Sequence, residues 1–139
     1  SVAAIGVACH EAGHACQHAE GYSPLKLRNA VIPATRIGSW IGVPLCIVGL
    51  CINSQILAYV GIVLYAFVAL FQLITLPVEF DASKRALRTI ETNGFLNETE
   101  YVGAKKVLTA AALTYVAALA SALATILRLL LVVAGGRRD

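Results

Sequence analysis

The most regular feature of the sequence is the succession of long uncharged segments separated by short polar ones. Uncharged segments cover residues 37–52, 56–76 and 107–127. As helices, the second and third would each extend about 31 Å, which matches the hydrocarbon core of a bilayer. The first segment is shorter and contains Pro44, so it needs extra helical turns from its neighbours to cross. This pattern predicts three membrane spans, of which the first two form a hairpin with its tip at 53–55.

The segments between these apolar blocks predict further helices. Residues 1–19 are mostly small and contain no proline, which predicts a helix that ends at a following glycine. Residues 21–36 contain two prolines and three basic residues, and predict a loop. An amphipathic helix is expected over 78–93. Asn97, with Glu100 three residues later, forms a capping-box pattern at the start of the last helix. The sequence therefore predicts an all-α, multi-pass helical membrane protein.

Composition supports a lipid environment. The apolar residues AVILMFWYC make up 58% of the chain and charged residues 14%. Soluble domains average about 45–50% apolar and about 25% charged residues. This excludes an ordinary cytosolic enzyme, a disordered tail and a nucleic-acid-binding protein. The formal net charge of +3 requires no polyanionic partner. A length of 139 residues predicts one domain, 1–139.

Basic residues are concentrated on one side of the predicted spans. The larger set lies before the hairpin or between the second and third spans, and consists of Lys26, Arg28, Arg36, Lys84, Arg85, Arg88, Lys105 and Lys106. The smaller set, at the other end of the last span, is Arg128, Arg137 and Arg138. Because the more basic side of a membrane protein faces the cytoplasm, we expect the segments around 1–36 and 77–106 to be cytoplasmic.

The candidate chemistry is concentrated in His10-Glu11-Ala12-Gly13-His14, an H-E-x-x-H pattern in the first predicted helix. Residues four apart lie on one face of a helix, so the two histidines can bind one zinc ion. Glu11 is offset around the helix, and its carboxylate can approach a zinc-bound water as general base. Two of the three histidines of the chain fall in this pattern. It therefore predicts a Zn²⁺ site rather than a chance arrangement of polar residues.

A catalytic zinc site has a third protein ligand and keeps one position for water. His18 lies about 12 Å from His10 along a straight helix, which places it at the surface or beside the site. Glu79 and Asp81 fall at the membrane–water boundary, just after an apolar segment. Asp81 has Arg85 four residues on, a pairing that satisfies it without a metal. Glu79 is therefore the favoured third ligand, with Asp81 as the alternative.

Other polar residues have two interpretations each. Gln17 can orient a ligand or a substrate, but a polar residue on an exposed helix face explains it equally well. Arg85 and Arg88 can bind a carboxylate or an oxyanion, although a solvated basic face near anionic lipid headgroups is the favoured interpretation. Tyr115 lies in an apolar helix, where packing or a hydrogen bond between helices is expected.

Three stretches of the sequence resemble one known family. They are HEAGHACQHAEGYSPLKLRNAVIP, FQLITLPVEFDASKRAL and AKKVLTAAALTYVAALASAL. In this order they are similar to the neutral zinc metallopeptidases of bacterial membranes, often called YugP-type, and the resemblance covers essentially the whole chain. It implies a multi-pass zinc peptidase of the bacterial cell membrane with its active site at the cytoplasmic face. Because full-length members are longer, it also implies a further transmembrane helix and a short soluble stretch before Ser1.

The motif set is also similar to that of the gluzincin membrane proteases, which include the CAAX prenyl proteases and the heat-shock membrane proteases. Their third ligand is the Glu of a helical E-x-x-x-D pattern, and Glu79 matches that Glu. The Asp of the pattern is replaced here by Ser83. The hydrogen bond that orients a histidine ligand would then come from Ser83 or Asp81. The L-D-G motif of site-2-type proteases does not occur in the sequence.

Together these observations predict a membrane-embedded zinc metalloendopeptidase. His10, His14 and Glu79 would bind Zn²⁺. Glu11 would act as general base to the attacking water and then as proton donor to the leaving amine. The substrates would be peptides or membrane-protein segments near the cytoplasmic surface. The alternative is a non-hydrolytic membrane protein that binds metal for structure, assembly or transport.

Overall fold

The computed structural model describes residues 1–136, which form four helices. Helix α1 covers Val2–Glu20, α2 covers Ser23–Cys51, α3 covers Gln55–Asn93 and α4 covers Glu98–Gly135. The all-α prediction is confirmed. Arg137 and Arg138, which contribute to the predicted charge bias, lie outside the described residues.

Helices α2, α3 and α4 are each long and apolar enough to cross a membrane. The first predicted span lies in α2, the second in α3 and the third in α4. Large apolar side chains are exposed on these helices: Trp40 is 82% exposed and Ile56 is 80% exposed. Apolar surface of this kind is stable in lipid but costly in water.

The prediction of a loop over residues 21–36 is wrong, because α2 begins at Ser23 and includes this segment. Pro24 lies in the first turn, where a missing N–H costs no hydrogen bond. Pro33 and Pro44 are inside the helix, as is often tolerated in apolar helices whose neighbours satisfy the freed backbone groups. The added turns give α2 a length of 29 residues, which is about 43 Å. They supply the length that the short apolar segment lacks.

The predicted helix caps are present. Helix α1 is followed by Gly21, whose φ of 68° is the left-handed conformation that glycine adopts without strain. At the start of α4, the side chain of Asn97 accepts a hydrogen bond from the Glu100 backbone N–H at 2.9 Å. The Glu100 carboxylate accepts one from the Asn97 backbone N–H at 3.1 Å. This confirms the capping box.

The chain divides into two compact units. Unit 2 comprises residues 28–73 and the part of α4 from residue 117 onward. Its core is formed by Cys46, Ala58, Ile62 and Val133. Glycines allow α2 and α3 to approach closely here: a Cβ atom on Gly61 would collide with backbone atoms of α2. Close packing through small residues is a common way for helices to associate in membranes.

Unit 1 comprises residues 1–27 and 74–116. It contains α1, the start of α2, the second half of α3 and the first half of α4. Its buried apolar residues lie on the start of α2, on α3 and on α4, and are Leu25, Val78, Ala82, Ala86, Ile90, Ala104 and Leu108. Helix α3 continues without interruption past Pro77. Unit 1 therefore holds the H-E-x-x-H helix and both candidate acids.

Candidate metal centre

Three side chains of unit 1 direct potential ligand atoms toward one point. His10 and His14 lie one turn apart on α1, and their Nε2 atoms are 3.0 Å apart. The Glu79 Oε2 atom, on α3, lies 3.0 Å from His10 Nε2 and 3.4 Å from His14 Nε2. Among the described residues, these three form a group of potential ligands whose atoms lie within 4.8 Å of one another.

The triangle of ligand atoms fits zinc. Zn²⁺ binds histidine nitrogens and carboxylate oxygens at about 2.0–2.2 Å in tetrahedral geometry, which places neighbouring ligand atoms about 3.3 Å apart. The three sides of the triangle, 3.0, 3.0 and 3.4 Å, are close to that value. Two imidazoles and one carboxylate also form the donor set of many catalytic zinc sites, which keep a fourth position for water.

Gly13, within the H-E-x-x-H pattern, allows α1 to approach α3 closely. It is buried, and a Cβ atom at this position would lie 2.8 Å from the carbonyl oxygen of Ala82. Real Cβ atoms essentially never come this close to another heavy atom. A side chain at this position would therefore push α1 away from the helix that carries Glu79.

Gln17 determines which nitrogen of His14 carries the proton. Its amide nitrogen donates to the carbonyl oxygen of Val78 at 2.9 Å and to the carboxylate of Asp81 at 2.8 Å. The first group can only accept, and an ionised carboxylate does the same, so the amide oxygen of Gln17 must face His14. That oxygen lies 2.9 Å from His14 Nδ1. His14 Nδ1 therefore carries the hydrogen, and Nε2 presents its lone pair to the proposed metal position.

Ser83 contacts the other histidine. Its hydroxyl oxygen lies 3.0 Å from His10 Nδ1, and the His10 Nε2 atom faces Glu79. A hydroxyl can accept a hydrogen bond from Nδ1–H, so this contact suits metal binding through Nε2. Ser83 thus occupies the place that an Asp has in the E-x-x-x-D pattern.

Asp81 takes part in a different set of contacts. Its carboxylate accepts hydrogen bonds from Gln17 and, at 2.7 Å, from Arg85 Nε. Arg85 also contacts the Glu20 carboxylate at 2.8 Å. Burial acts to raise the pKa of Asp81, but the hydrogen bonds from Gln17 and Arg85 outweigh burial and lower the pKa. The carboxylate is therefore ionised at neutral pH and holds the Gln17 amide in place.

Glu11 lies on the open side of the site. It is exposed, and it lines a cavity together with His10 and Glu79. A base that takes a proton from water beside the ligand group needs this position. By contrast, the Glu79 side chain is nearly fully buried.

Comparison with known proteins agrees with this geometry. Residues 1–134 match a family model described as "Putative neutral zinc metallopeptidase". The chain belongs to this family. The family description names zinc, and the group formed by His10, His14 and Glu79 is the possible binding site for that metal in this chain.

A curated relative of this zinc metallopeptidase family extends the comparison. "Putative membrane protease YugP" of Bacillus subtilis (strain 168) is 45% identical over 139 residues, which is all of this chain and 62% of the relative. The chain thus spans less than two thirds of that relative's length. No solved structure matches the chain significantly. The relative's name and the three apolar helices agree on a membrane location.

The structure brings most of the sequence-predicted site residues of this family member together. His10, His14 and Glu79 converge, whereas His18 is exposed and outside the group. Of the two interpretations of Gln17, the exposed polar position is wrong, because the side chain is fully buried. Its spacing is the available signal, since residue i+3 from His14 lies beside the histidine ring on the same helical face.

Gln17 gives a testable prediction as a residue that positions a ligand. Replacing it by leucine removes the acceptor for His14 Nδ1–H, so we expect zinc affinity to fall roughly 10–100-fold, as is typical when a hydrogen-bond partner of a metal ligand is lost. Affinity is measured by competition with a chromophoric chelator. His18→Ala is the control, because His18 is exposed on the same helix. Thermal unfolding of the zinc-free variant separates loss of packing from loss of affinity, and unchanged zinc affinity in folded Gln17→Leu would contradict the assignment.

Proposed function

We propose that this protein is a zinc-dependent membrane peptidase that hydrolyses peptide bonds at the cytoplasmic face of a bacterial membrane. The observation that carries the proposal is the convergence of His10, His14 and Glu79 within one zinc-sized triangle, with Glu11 on its open side. The family match and the membrane-protease name of the relative support it.

Each residue has a distinct role in the proposed reaction. His10, His14 and Glu79 would hold the zinc. When bound, zinc would lower the pKa of a coordinated water to about 7 and polarise the scissile carbonyl. Glu11 takes a proton from the attacking water and passes it to the nitrogen of the leaving amine. Gln17 and Ser83 orient the two imidazoles, and both Nε2 lone pairs would then be available to the metal.

The proposed orientation rests on the distribution of basic residues. Unit 1, which contains the candidate metal centre, also carries Lys26, Lys84, Arg85, Arg88, Lys105 and Lys106. A concentration of lysine and arginine next to membrane spans favours the cytoplasmic side. The substrates would then be peptides or membrane-protein segments that reach the cytoplasmic surface.

Metal removal tests the proposed function. Full-length protein in detergent micelles is expected to cleave members of a fluorogenic peptide library. Treatment with 1,10-phenanthroline should abolish cleavage, because the water would lose the group that lowers its pKa. Adding Zn²⁺ should restore cleavage, and adding the same concentration of Mg²⁺ should not, since Mg²⁺ prefers octahedral oxygen ligands. Cleavage that persists after zinc has been removed, confirmed by metal analysis, would refute the proposal.

A further inference from the structure

A cavity of about 200 Å³ lies next to the candidate metal centre in unit 1. One end is polar, and is formed by His10, Glu11, Glu79 and Ser83. The remainder is lined by Val7 of α1 and by five residues of α4, which are Val107, Leu108, Ala111, Ala112 and Tyr115. The cavity thus connects the proposed point of bond cleavage to a wall that is almost entirely apolar.

The wall is one continuous face of α4. Its residues follow the spacing i, i+1, i+4, i+5 and i+8, which places them side by side over two turns. The two alanines lie in the middle of this face. Because an alanine side chain is a single methyl group, Ala111 and Ala112 leave space that a larger residue would fill.

The size and chemistry of the cavity define what it can hold. An apolar cavity of about 150 Å³ is large enough to bind benzene, so 200 Å³ accommodates an aliphatic side chain or a phenyl ring. A charged side chain is disfavoured, because the wall offers it only the neutral hydroxyl of Tyr115 and desolvation of a charge is costly. The carboxylates at the polar end belong to the proposed catalytic machinery.

We propose that this cavity is the subsite for the side chain of a substrate residue next to the scissile bond, and that Ala111 and Ala112 set its size. The preferred substrates are then peptides with a leucine-sized or phenylalanine-sized apolar residue at that position. The inference rests on the proposed function, since His10 and Glu79 define where the scissile carbonyl lies.

The test measures binding separately from catalysis. N-acyl amino-acid hydroxamates, which chelate zinc, are titrated into zinc-loaded full-length protein in micelles, with alanine, leucine, phenylalanine or lysine as the amino acid. We expect the leucine and phenylalanine compounds to bind at least roughly tenfold more tightly than the alanine compound, because each added apolar group fills the cavity. The lysine compound should bind no more tightly than the alanine compound.

Variants of α4 test the size determinant. Ala112→Leu should lower the affinity for the phenylalanine compound roughly tenfold and leave the affinity for the alanine compound unchanged. Val107→Ala enlarges the cavity and should increase the affinity for the phenylalanine compound relative to the leucine compound. Ala110→Leu is the matched control, because it makes the same substitution on the same helix at an exposed residue outside the cavity lining. Zinc content is measured for every variant and should equal that of the wild type.

The possible results separate the subsite from the proposed function. If Ala112→Leu and Ala110→Leu give the wild-type order of affinities, or change it equally, the subsite is wrong. The same conclusion follows if the wild-type protein binds all four compounds equally or binds none of them. If the size order and its loss in Ala112→Leu are observed but the wild-type protein cleaves no peptide, the cavity is supported as a size-selective apolar pocket beside the zinc, and the proposed peptidase activity is refuted.

Discussion

Replacing Glu11 by glutamine is expected to leave zinc bound and to lower kcat/KM for peptide cleavage by about 10²–10⁴-fold, the usual contribution of a general base. The amide retains the size of the side chain but cannot take a proton from water at neutral pH. Glu11 is absent from the potential ligand group formed by His10, His14 and Glu79, so zinc binding should not depend on it. The measurements are zinc per chain by metal analysis and initial rates on a peptide substrate.

Glu91→Gln is the matched control for this experiment. It makes the same change in charge at an exposed acid that does not line the cavity, and it should retain the wild-type rate. The Glu11 experiment also separates the two functional classes predicted from the sequence, because a protein that binds metal only for structure, assembly or transport needs the histidines and has no need of this carboxylate. A Glu11→Gln protein that cleaves peptide at the wild-type rate would rule out the mechanism.

The second large effect is expected at Glu79. Glu79→Ala removes the buried carboxylate that lies 3.0 Å from His10 Nε2 and 3.4 Å from His14 Nε2. We expect zinc affinity to fall by more than the roughly 10–100-fold that loss of an orienting partner costs, and peptide cleavage to be lost with it. Isothermal titration with Zn²⁺ measures the affinity.

Asp81→Ala is the comparison that decides the third ligand. Its carboxylate contacts Gln17 and Arg85. Zinc affinity should therefore fall only by the amount typical of losing an orienting residue, about 10–100-fold at most. Should Asp81→Ala lose zinc while Glu79→Ala retains it, the assignment of Glu79 is wrong and Asp81 is the ligand.

The part of the site that sequence could predict is the part set by helical periodicity. A spacing of four residues places His10 and His14 on one face of a helix whatever the rest of the fold does. The choice of Glu79 over Asp81 used the same local reasoning, since Arg85 lies four residues after Asp81. The observed contact between Asp81 and Arg85 at 2.7 Å agrees with that reasoning.

Features that depend on contacts between helices could not be predicted in this way. Gln17 is polar, and its position on α1 gives no information about whether α3 covers it. It is fully buried because Gly13 lets α3 approach, which brings the Val78 carbonyl and Asp81 within hydrogen-bonding distance. The face of α4 that lines the cavity could not be predicted either, because alanine and valine in an apolar helix give the same sequence pattern whether they face lipid or a substrate.

The loop predicted over residues 21–36 failed for a different physical reason. Proline ends most helices in water because it leaves a carbonyl without an N–H partner. In an apolar environment, neighbouring helices can satisfy the freed groups, and α2 continues past Pro33 and Pro44. Proline is therefore a weak indicator of helix ends in this chain, whereas the glycine at position 21 is a reliable one.

The proposed ligands come from two helices, with both histidines on α1 and the glutamate on α3. A metal ion bound by all three would cross-link these helices, so its binding free energy would add to the stability of their association. At a free zinc concentration 100 times the dissociation constant, this thermodynamic linkage is worth about 2.7 kcal/mol. The fraction of chains with α1 packed on α3 in a cell would then follow zinc supply, and a chain deprived of zinc would be more susceptible to degradation.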